Sequence, residues 1–216
     1  MYVKVCGITN LDDALAAADA GADVLGFNCI PTSKRYVERA VLRGIVSDVR
    51  RVIPNLLLIA VVADLAARDA LVLLEEIGLD RLQLHGDESP RDVSALGSRA
   101  FKAVRIGDAT DAAIAAAFPG HPLLVDAKVP GQLGGTGIQV DWHLVAPLAR
   151  ARPLILAGGL NPDNVAAAVS AVQPWGVDVA SGVEVHGDAR RKDREKVRRF
   201  AAQARASSSA EHDTPF

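Results

Sequence analysis

The sequence predicts an α/β fold, a single-domain (β/α)8 TIM barrel, from three observations. Short apolar segments bounded by Gly, Pro or Asp alternate with Ala-rich segments of helical period. Eight such pairs occur in 216 residues, which leaves about 27 residues for each pair. Several strand segments, such as Leu56–Val62, are apolar at consecutive residues, which is typical of parallel strands buried on both faces.

Eight strand and helix pairs can form either a closed barrel or an open doubly wound sheet. The barrel is favoured because the spacing is even, the strands are short, and polar or Gly-rich segments follow nearly every strand. The predicted strands are Tyr2–Cys6, Asp23–Phe27, Leu56–Val62, Arg81–His85, Ala100–Arg105, Leu123–Asp126, Pro153–Ala157 and Val177–Ala180.

The helices are predicted from apolar stripes and capping residues. Gly21 is placed to end the first helix, and Ser89–Pro90 and Asn161–Pro162 each join an N-cap residue to a proline at the first helical position. We interpret the charged run Arg190–Arg199 as a solvated face of the last helix rather than a binding patch. The stripes of the first and last helices are Leu11, Ala14, Leu15 and Ala18, and Val197, Phe200, Ala201 and Ala204.

Composition and charge exclude several classes of protein. The chain is 50% hydrophobic and 23% charged, which is enough apolar sequence for one large core. The formal net charge of -2 and the pI of about 6.2 provide no basic field for nucleic acid or an anionic membrane. The longest apolar run, Leu56–Ala63, is far shorter than the ~20 residues that cross a bilayer. We therefore expect no nucleic-acid partner and no membrane insertion.

We expect the barrel to occupy residues 1–205 and residues 206–216 to form a flexible C-terminal tail. The two cysteines, Cys6 and Cys29, cannot form a dense disulfide framework, and the first residues lack the basic and apolar regions of a signal peptide. These features indicate a cytoplasmic protein. The sequence leaves the assembly open between a monomer and a homodimer.

Candidate chemistry lies at the carboxyl ends of the strands, where a barrel places its active site. The residues there include Cys6, Arg35, His85 and Asp126. The chain contains no H-E-x-x-H or C-x-x-C spacing, so we expect no metal site. The segment Gly134–Gly137 matches no dinucleotide-binding or P-loop pattern, so we expect no nucleotide cofactor. The surrounding loop, residues 127–138, is either a lid or an ordinary flexible connection.

Two Gly-containing turns after the last two strands indicate a phosphate-monoester site. The turns are Gly158–Gly159 and Ser181–Gly182. Glycine lets backbone N–H groups approach phosphate oxygens, and the loops after strands 7 and 8 of a barrel often bind phosphate. Either turn alone could be an ordinary connection, whereas two turns on consecutive strands favour the phosphate site.

Cys6 and Asp126 are the candidate proton-transfer pair. Alternation along the first strand places Lys4 and Cys6 on one side, with Cys6 at the mouth, where a thiolate can act as a base. Asp126 ends the apolar run Leu123–Val125, where a carboxylate is costly unless it has a partner or a function. The alternative for Cys6 is a small core residue, and we assign Cys29 no catalytic role.

Five segments occur in the order seen in one enzyme family. With them the chain resembles the phosphoribosylanthranilate isomerase family of tryptophan biosynthesis, from the first strand as far as Asp193. The segments are Lys4–Thr9 (KVCGIT), Gln83–Gly86 (QLHG), Gly134–Gly137 (GGTG), Ala157–Leu160 (AGGL) and Val177–Glu184 (VDVASGVE).

The resemblance implies an Amadori rearrangement without metal or cofactor, from N-(5-phosphoribosyl)anthranilate to 1-(2-carboxyphenylamino)-1-deoxyribulose 5-phosphate. It implies that Asp126 is the general acid that protonates the ribose ring oxygen, and that Cys6 is the general base that removes the C2 proton. It further implies that Arg35 holds the anthranilate carboxylate and that His85 and Asp178 line the cavity. The two Gly-containing turns would bind the phosphate of this small-molecule substrate.

Two segments depart from the family's pattern. Lys34 stands where many relatives have Pro, which leaves the stiffness of the loop beside Arg35 open. The segment Val185–Asp193 is longer than is usual in the family, and Ala180 stands where Ser is frequent. Because Ser181–Gly182 is kept, we expect the phosphate site to be kept.

Two other functions remain open on the sequence alone. A related phosphosugar isomerase or epimerase would share the phosphate turns but would not need Arg35. A non-catalytic phosphate-binding barrel would keep the fold without turnover. The presence of both Cys6 and Asp126 argues against the second of these functions.

Overall fold

A computed structural model describes residues 1–127 and 141–208 of the chain. Eight parallel strands form a closed barrel in sequence order. The strands are β1 Tyr2–Cys6, β2 Val24–Asn28, β3 Leu57–Val62, β4 Arg81–Leu84, β5 Ala100–Ile106, β6 Leu123–Ala127, β7 Leu154–Leu156 and β8 Gly176–Val179. The α-helices are α1 Leu11–Asp19, α2 Arg39–Val52, α3 Ala67–Ile77, α4 Pro90–Leu96, α5 Ala109–Ala116, α6 Trp142–Ala151, α7 Val165–Val172 and α8 Arg194–Ala206.

The barrel closes because β1 pairs with both β2 and β8. Lys4 lies in register with Val24 on one side and with Asp178 on the other. The eight predicted strands are confirmed, with boundaries that differ by at most one residue. The closed order also confirms the barrel over the open sheet, which would have two unpaired edge strands.

The barrel interior has two levels of different chemistry. The apolar level lies toward the amino ends of the strands, where Tyr2 stacks on Trp175 with ring centroids 4.4 Å apart. Its other large members are Val24, Ile59, Phe101, Leu124 and Ile155. The polar level lies toward the carboxyl ends and contains the buried side chains of Lys4, Gln83, His85, Asp126 and Asp178. Side chains alternate between the two faces of a strand, so the inward-facing residues of a strand contribute first to the apolar level and then to the polar level.

The helices pack around the barrel through apolar faces. The stripe predicted for α1 is wrong except at Ala14, because the buried face also holds Asp13 and Ala17 while Leu11, Leu15 and Ala18 are only partly buried. This face includes Asp13 because its carboxylate accepts a hydrogen bond from the Lys192 N–H. The stripe of α8 is fully or almost fully buried, which confirms its prediction. Gly21 follows α1 with a φ of +106°, as expected for a glycine just past a helix end. Ser89 caps α4 by accepting a hydrogen bond from the Asp92 N–H, and Pro90 is the first helical residue.

The helix start predicted at Asn161–Pro162 is wrong. The helix α7 begins at Val165, with Asn164 as its N-cap residue. Asn161 Oδ1 does accept a hydrogen bond from the Asp163 N–H at 2.8 Å, as an N-cap residue would, but residues 162–164 form a turn and the regular helix starts only after it.

A small hairpin follows β8 and a 3₁₀ helix, Ser181–Val183. Its antiparallel strands are β9 (Glu184–Val185) and β10 (Asp188–Lys192). The Thr9 hydroxyl donates to the Arg190 carbonyl at 2.6 Å, and Asp13 Oδ2 accepts from the Lys192 N–H at 2.8 Å. The hairpin is thereby joined to the start of the chain.

The predicted role of the run Arg190–Arg199 is wrong for residues 190–192. These residues belong to β10, and Lys192 is buried. The reason is that the Lys192 N–H bonds to Asp13 and its ammonium group lies beside Glu184.

Among residues 1–127 and 141–208, no helix is both long enough and apolar enough to cross a membrane. Residues 128–140, which include most of the candidate lid, lie outside the described residues, as do residues 209–216 of the predicted tail.

Candidate active site

Cys6 lies at the carboxyl end of β1, where the chain turns sharply. Gly7 has a φ of +76°, a conformation that favours glycine. In this turn the N–H groups of Gly7 and Ile8 both donate to the Gly26 carbonyl, at 2.9 and 3.0 Å. The Arg35 side chain crosses the space that a Cβ atom on Gly7 would occupy. The turn therefore places Gly7 against Arg35, next to the partly exposed Cys6.

Lys4 is a buried cation beside Cys6, on the side that strand alternation predicts. Lys4 Nζ donates to Asp178 Oδ1 at 2.9 Å, and the lysine side chain is only 2% exposed. A Cβ atom on Gly26 would lie 3.0 Å from both Lys4 Nζ and Cys6 Sγ. Burial lowers the pKa of Lys4, but the charges on Asp178 and Cys6 outweigh burial and raise it above the usual value. Lys4 is therefore charged at neutral pH.

His85 and Asp126 face each other at the mouth of the barrel. His85 Nε2 lies 3.7 Å from Asp126 Oδ2, which is longer than a hydrogen bond. On its other side, His85 Nδ1 lies 3.4 Å from Gln83 Nε2. The structure thus brings the predicted acid and the predicted cavity histidine together.

His85 is uncharged at neutral pH. Burial lowers its pKa to about 3, and the positive charges of Lys102, Lys4 and Arg105 add to this effect. A charged imidazole at this distance would favour the ionised form of a carboxyl group. The neutral ring adds no such charge beside Asp126.

Arg35 is held by Glu184 of the hairpin. Arg35 Nε donates to Glu184 Oε1 at 2.5 Å, and both side chains are almost completely buried. The Arg35 N–H donates to Ser33 Oγ at 3.2 Å, so the loop is fastened although Lys34 replaces proline. Within the described residues, the buried Arg35 Nη2 has no hydrogen-bond partner. Glu184 thus occupies one edge of the guanidinium group and leaves a donor that can bind a carboxylate.

Lys192 joins the same group of charges. Its Nζ donates to the Ala180 carbonyl at 3.1 Å and lies 3.4 Å from Glu184 Oε1. Burial lowers the pKa of Lys192, while the charges on Glu184 and Cys6 act in the opposite direction. Cys6 is therefore within electrostatic range of two buried lysines, one on β1 and one on β10.

The two predicted phosphate turns meet at one side of the mouth. Gly158 and Gly159 have φ values of +84° and +66°, so this turn needs two consecutive residues in a conformation that favours glycine. A Cβ atom on Gly182 would collide with the Leu160 carbonyl, so the Ser181–Gly182 turn packs directly on the turn after β7. The four predicted residues are partly exposed and can be reached by a ligand.

A third buried lysine, Lys102, holds the loop that follows His85. Lys102 Nζ, from β5, donates to Glu88 Oε2 and to the Gly86 carbonyl, each at 2.7 Å. The Glu88 carboxylate also accepts from the Gly86 N–H at 3.0 Å and from the Asp64 N–H at 2.8 Å. The loops after β3 and β4 are therefore fixed to β5.

The sequence alone does not predict the buried charges around Cys6. From the sequence, Glu184 is only the last residue of the motif Val177–Glu184, and Lys192 is only one member of the charged run Arg190–Arg199. The available signal is a charged residue between apolar strand residues, as with Lys4 between Val3 and Val5. That signal indicates burial but does not identify the partner.

Cys29 differs from Cys6 in its surroundings. Burial raises the pKa of the Cys29 thiol to about 11, with a small opposing effect of Arg39, so this thiol is protonated at neutral pH. In the part of the chain that the structure describes, no group of three or more His, Cys, Asp and Glu side chains could hold a metal ion.

Comparisons with known proteins identify the family. A family model described as N-(5'phosphoribosyl)anthranilate (PRA) isomerase matches residues 3–203. The chain is 46% identical over 206 residues to the N-(5'-phosphoribosyl)anthranilate isomerase of Magnetococcus marinus, with 94% of each protein covered. It is 46% identical over 211 residues to that of Thiobacillus denitrificans, with 95% of this chain and 98% of the relative covered.

Solved structures of phosphoribosylanthranilate isomerases share the fold. The enzyme from Thermotoga maritima superposes with a TM-score of 0.87 at 34% identity, covering 95% of this chain and 99% of the other. A complex of such an isomerase with reduced 1-(o-carboxyphenylamino)-1-deoxyribulose 5-phosphate gives a TM-score of 0.84 at 32% identity, with the same coverage. Monomers generated from the dimeric Thermotoga maritima enzyme give 0.83 at 33%, again with this coverage, so both assemblies occur among these structures. The chain therefore belongs to the N-(5'-phosphoribosyl)anthranilate isomerase family.

Proposed function

We propose that the chain isomerises N-(5'-phosphoribosyl)anthranilate in tryptophan biosynthesis, with Asp126 as general acid and Cys6 as general base. The product is 1-(2-carboxyphenylamino)-1-deoxyribulose 5-phosphate. The observation that carries the proposal is that one mouth of the barrel holds Cys6, Asp126, the carboxylate-binding candidate Arg35 and both phosphate turns. The reaction needs only proton transfers between these groups and the substrate.

In the first step the Asp126 carboxyl group gives its proton to the ribose ring oxygen. The bond between C1 and this oxygen breaks, and the nitrogen lone pair forms a Schiff base. The step requires a carboxyl group that carries a proton at neutral pH. The neutral His85, 3.7 Å away, supports this role because it adds no cation that would favour the carboxylate.

In the second step the Cys6 thiolate takes the proton from C2. The C2–H electron pair forms the C1–C2 double bond of an enolamine, and the Schiff-base electrons return to nitrogen. The enolamine then loses its hydroxyl proton to water and gains a proton at C1 from water, which gives the ketone. Exchange with water also removes the proton from Cys6 and returns one to Asp126, so atoms and charge balance over the cycle without any oxidant or reductant.

Binding of the substrate is assigned to opposite sides of the mouth. Gly158, Gly159, Ser181 and Gly182 would hold the phosphate through backbone N–H groups and the serine hydroxyl. Arg35 would hold the anthranilate carboxylate, while His85 and Asp178 line the cavity between. We assign no partner beyond this small molecule and, for a chain of this family, an assembly that is a monomer or a homodimer.

Arg35 favours this reaction over that of a related phosphosugar isomerase or epimerase. The guanidinium group is buried, held by Glu184 at one edge, and retains a donor without a partner among the described residues. A buried unpaired donor is costly unless a ligand completes it. A carboxylated substrate supplies that ligand, whereas a plain phosphosugar does not.

The test is a fluorescence assay with freshly generated phosphoribosylanthranilate. We expect Cys6→Ala to lower turnover by at least about a thousandfold while unfolding at the same urea concentration as the wild type. Cys29→Ala is the matched control, since it removes the other thiol, and should keep near-normal turnover. Near-normal turnover of Cys6→Ala would show that the role assigned to Cys6 is wrong.

A further inference from the structure

We propose that Lys4 is a positioning residue that keeps the Cys6 thiol ionised, with Lys192 as a supporting second cation. The proposal rests on the role of Cys6 as general base and extends it. It concerns residues that do not touch the substrate, and it names the charge on which the base depends.

Lys4 and Cys6 approach the same point of the neighbouring strand. Lys4 and Cys6 are two residues apart on β1 and project to the same side, where both approach the bare backbone of Gly26. Any larger residue at position 26 would place a Cβ atom 3.0 Å from each group, which is too close for unstrained packing. Glycine on the neighbouring strand thus leaves the space in which ammonium and sulfur meet.

A buried positive charge changes the chemistry of a nearby thiol. A free thiol has a pKa of about 8.5, so only a small fraction is thiolate at neutral pH. A nearby positive charge favours the thiolate, and low-dielectric surroundings strengthen this effect. Lys4 is buried, and its pKa is raised despite burial because of Asp178 and Cys6, so its charge persists at the pH at which the base must act.

The cations that act on Cys6 come from two different elements. Lys4 on β1 and Lys192 on β10 each interact electrostatically with Cys6. Lys4 is held by Asp178 on β8, and Lys192 lies beside Glu184 on β9, which also binds Arg35. Each lysine is thus fixed by a carboxylate while it faces the sulfur.

A purely structural role explains these lysines less well. A buried ion pair is often replaced by apolar residues of similar size without loss of stability, so stability alone does not account for the buried pair Lys4–Asp178. Lys102–Glu88 provides the contrast, because its ammonium group bonds two backbone carbonyls as well as the carboxylate and fixes a loop.

The experiment measures the rate of Cys6 alkylation by iodoacetamide against pH, read as the mass of the peptide that contains Cys6. It requires no turnover, so it is independent of whether Cys6 is the base in catalysis. We expect Lys4→Met to raise the midpoint of this curve by about one pH unit or more, a tenfold lower thiolate fraction. Lys102→Met also removes a buried ammonium group but does not face Cys6, and should leave the midpoint unchanged.

A second pair of variants keeps the test decisive if Lys4→Met folds poorly. Asp178→Asn removes the carboxylate that pairs with Lys4 and partly neutralises its charge. The midpoint of Cys6 alkylation should therefore move to lower pH. Adding Lys4→Met to Asp178→Asn leaves no unpaired buried charge and should move the midpoint back up. A midpoint that is the same in Asp178→Asn and in the double variant would overturn the proposal.

The two proposals fail in different ways. If Cys6→Ala turns over normally while the midpoint depends on Lys4, the role of Cys6 as base is wrong and the charge coupling stands. If Cys6→Ala is inactive and the midpoint of Cys6 alkylation is the same with and without Lys4, the role of Cys6 as base stands and the inference about Lys4 is wrong.

Discussion

The two levels of the barrel interior are both buried but have opposite chemistry. The apolar level is filled by rings and branched side chains, such as Phe101 stacked beneath the Arg81 guanidinium group at 5.5 Å. The polar level places ion pairs and a neutral histidine in the same kind of interior, where burial of charge opposes folding. The difference teaches that stability and chemistry are assigned to opposite ends of the same strands.

The largest expected effect comes from Asp126, the proposed acid in the polar level. Asp126→Asn keeps the shape of the side chain but cannot deliver the carboxyl proton. We expect turnover in the fluorescence assay to fall by about a thousandfold or more, with an unchanged midpoint of urea unfolding. A large loss of stability with turnover retained would break the division between the two levels.

The matching change in the apolar level is Phe101→Ala. Phe101 is completely buried, and loss of such a ring costs about 3–5 kcal/mol. Urea unfolding measures this loss, and Ile114→Ala on the exposed surface of α5 is the control. The folded fraction of Phe101→Ala should keep the turnover of the wild type, since no atom of Phe101 is assigned to the reaction.

His85 links the polar level to the stability of the fold through pH. Its pKa in the folded chain is about 3 against an ordinary value near 6.5, so the unfolded chain binds this proton more readily. Stability is therefore lost as the pH falls below about 6.5, by about 2 kcal/mol at pH 5 for this one group. His85→Asn should make unfolding less dependent on pH between 6.5 and 5, and the exposed His186→Asn is the comparison variant. An unchanged dependence in His85→Asn would contradict the burial of a neutral ring.

The smallest expected effect separates the shape of a cation from its charge. Arg35→Met should raise KM for phosphoribosylanthranilate by about tenfold or more, and Arg35→Lys by less, because lysine keeps the charge but loses the two-pronged donor. Initial rates over a range of substrate concentrations measure both. Equal KM values in the two variants would remove Arg35 from carboxylate binding.

The fold was predictable because its signals are local. Runs such as Leu57–Val62 and caps such as Ser89–Pro90 carry their information within a few residues, and the structure follows them. The start assigned to α7 failed for the same reason, since Asn161 makes a local bond to the Asp163 N–H that the N-cap pattern alone does not distinguish.

Residues of the candidate site could be predicted only where the sequence of a single strand end was enough to single them out. Cys6 and Asp126 follow apolar strands and point to chemistry by themselves. The pair Lys4–Asp178 joins residues 174 positions apart, and Glu184 meets Arg35 across 149 positions. Such contacts depend on barrel closure, so no local pattern could have identified them.

The pairing of β1 with β8 has a consequence for the order in which this chain becomes active during synthesis. The proposed base, Cys6, lies on the first strand of the barrel, while Asp178, Glu184 and Lys192 lie on or after the eighth. A nascent chain that stops before β8 exposes two open strand edges and lacks the charges around its own thiol. Long-range pairing of this kind forms slowly, so β1 acquires its chemical environment only when β8 joins it.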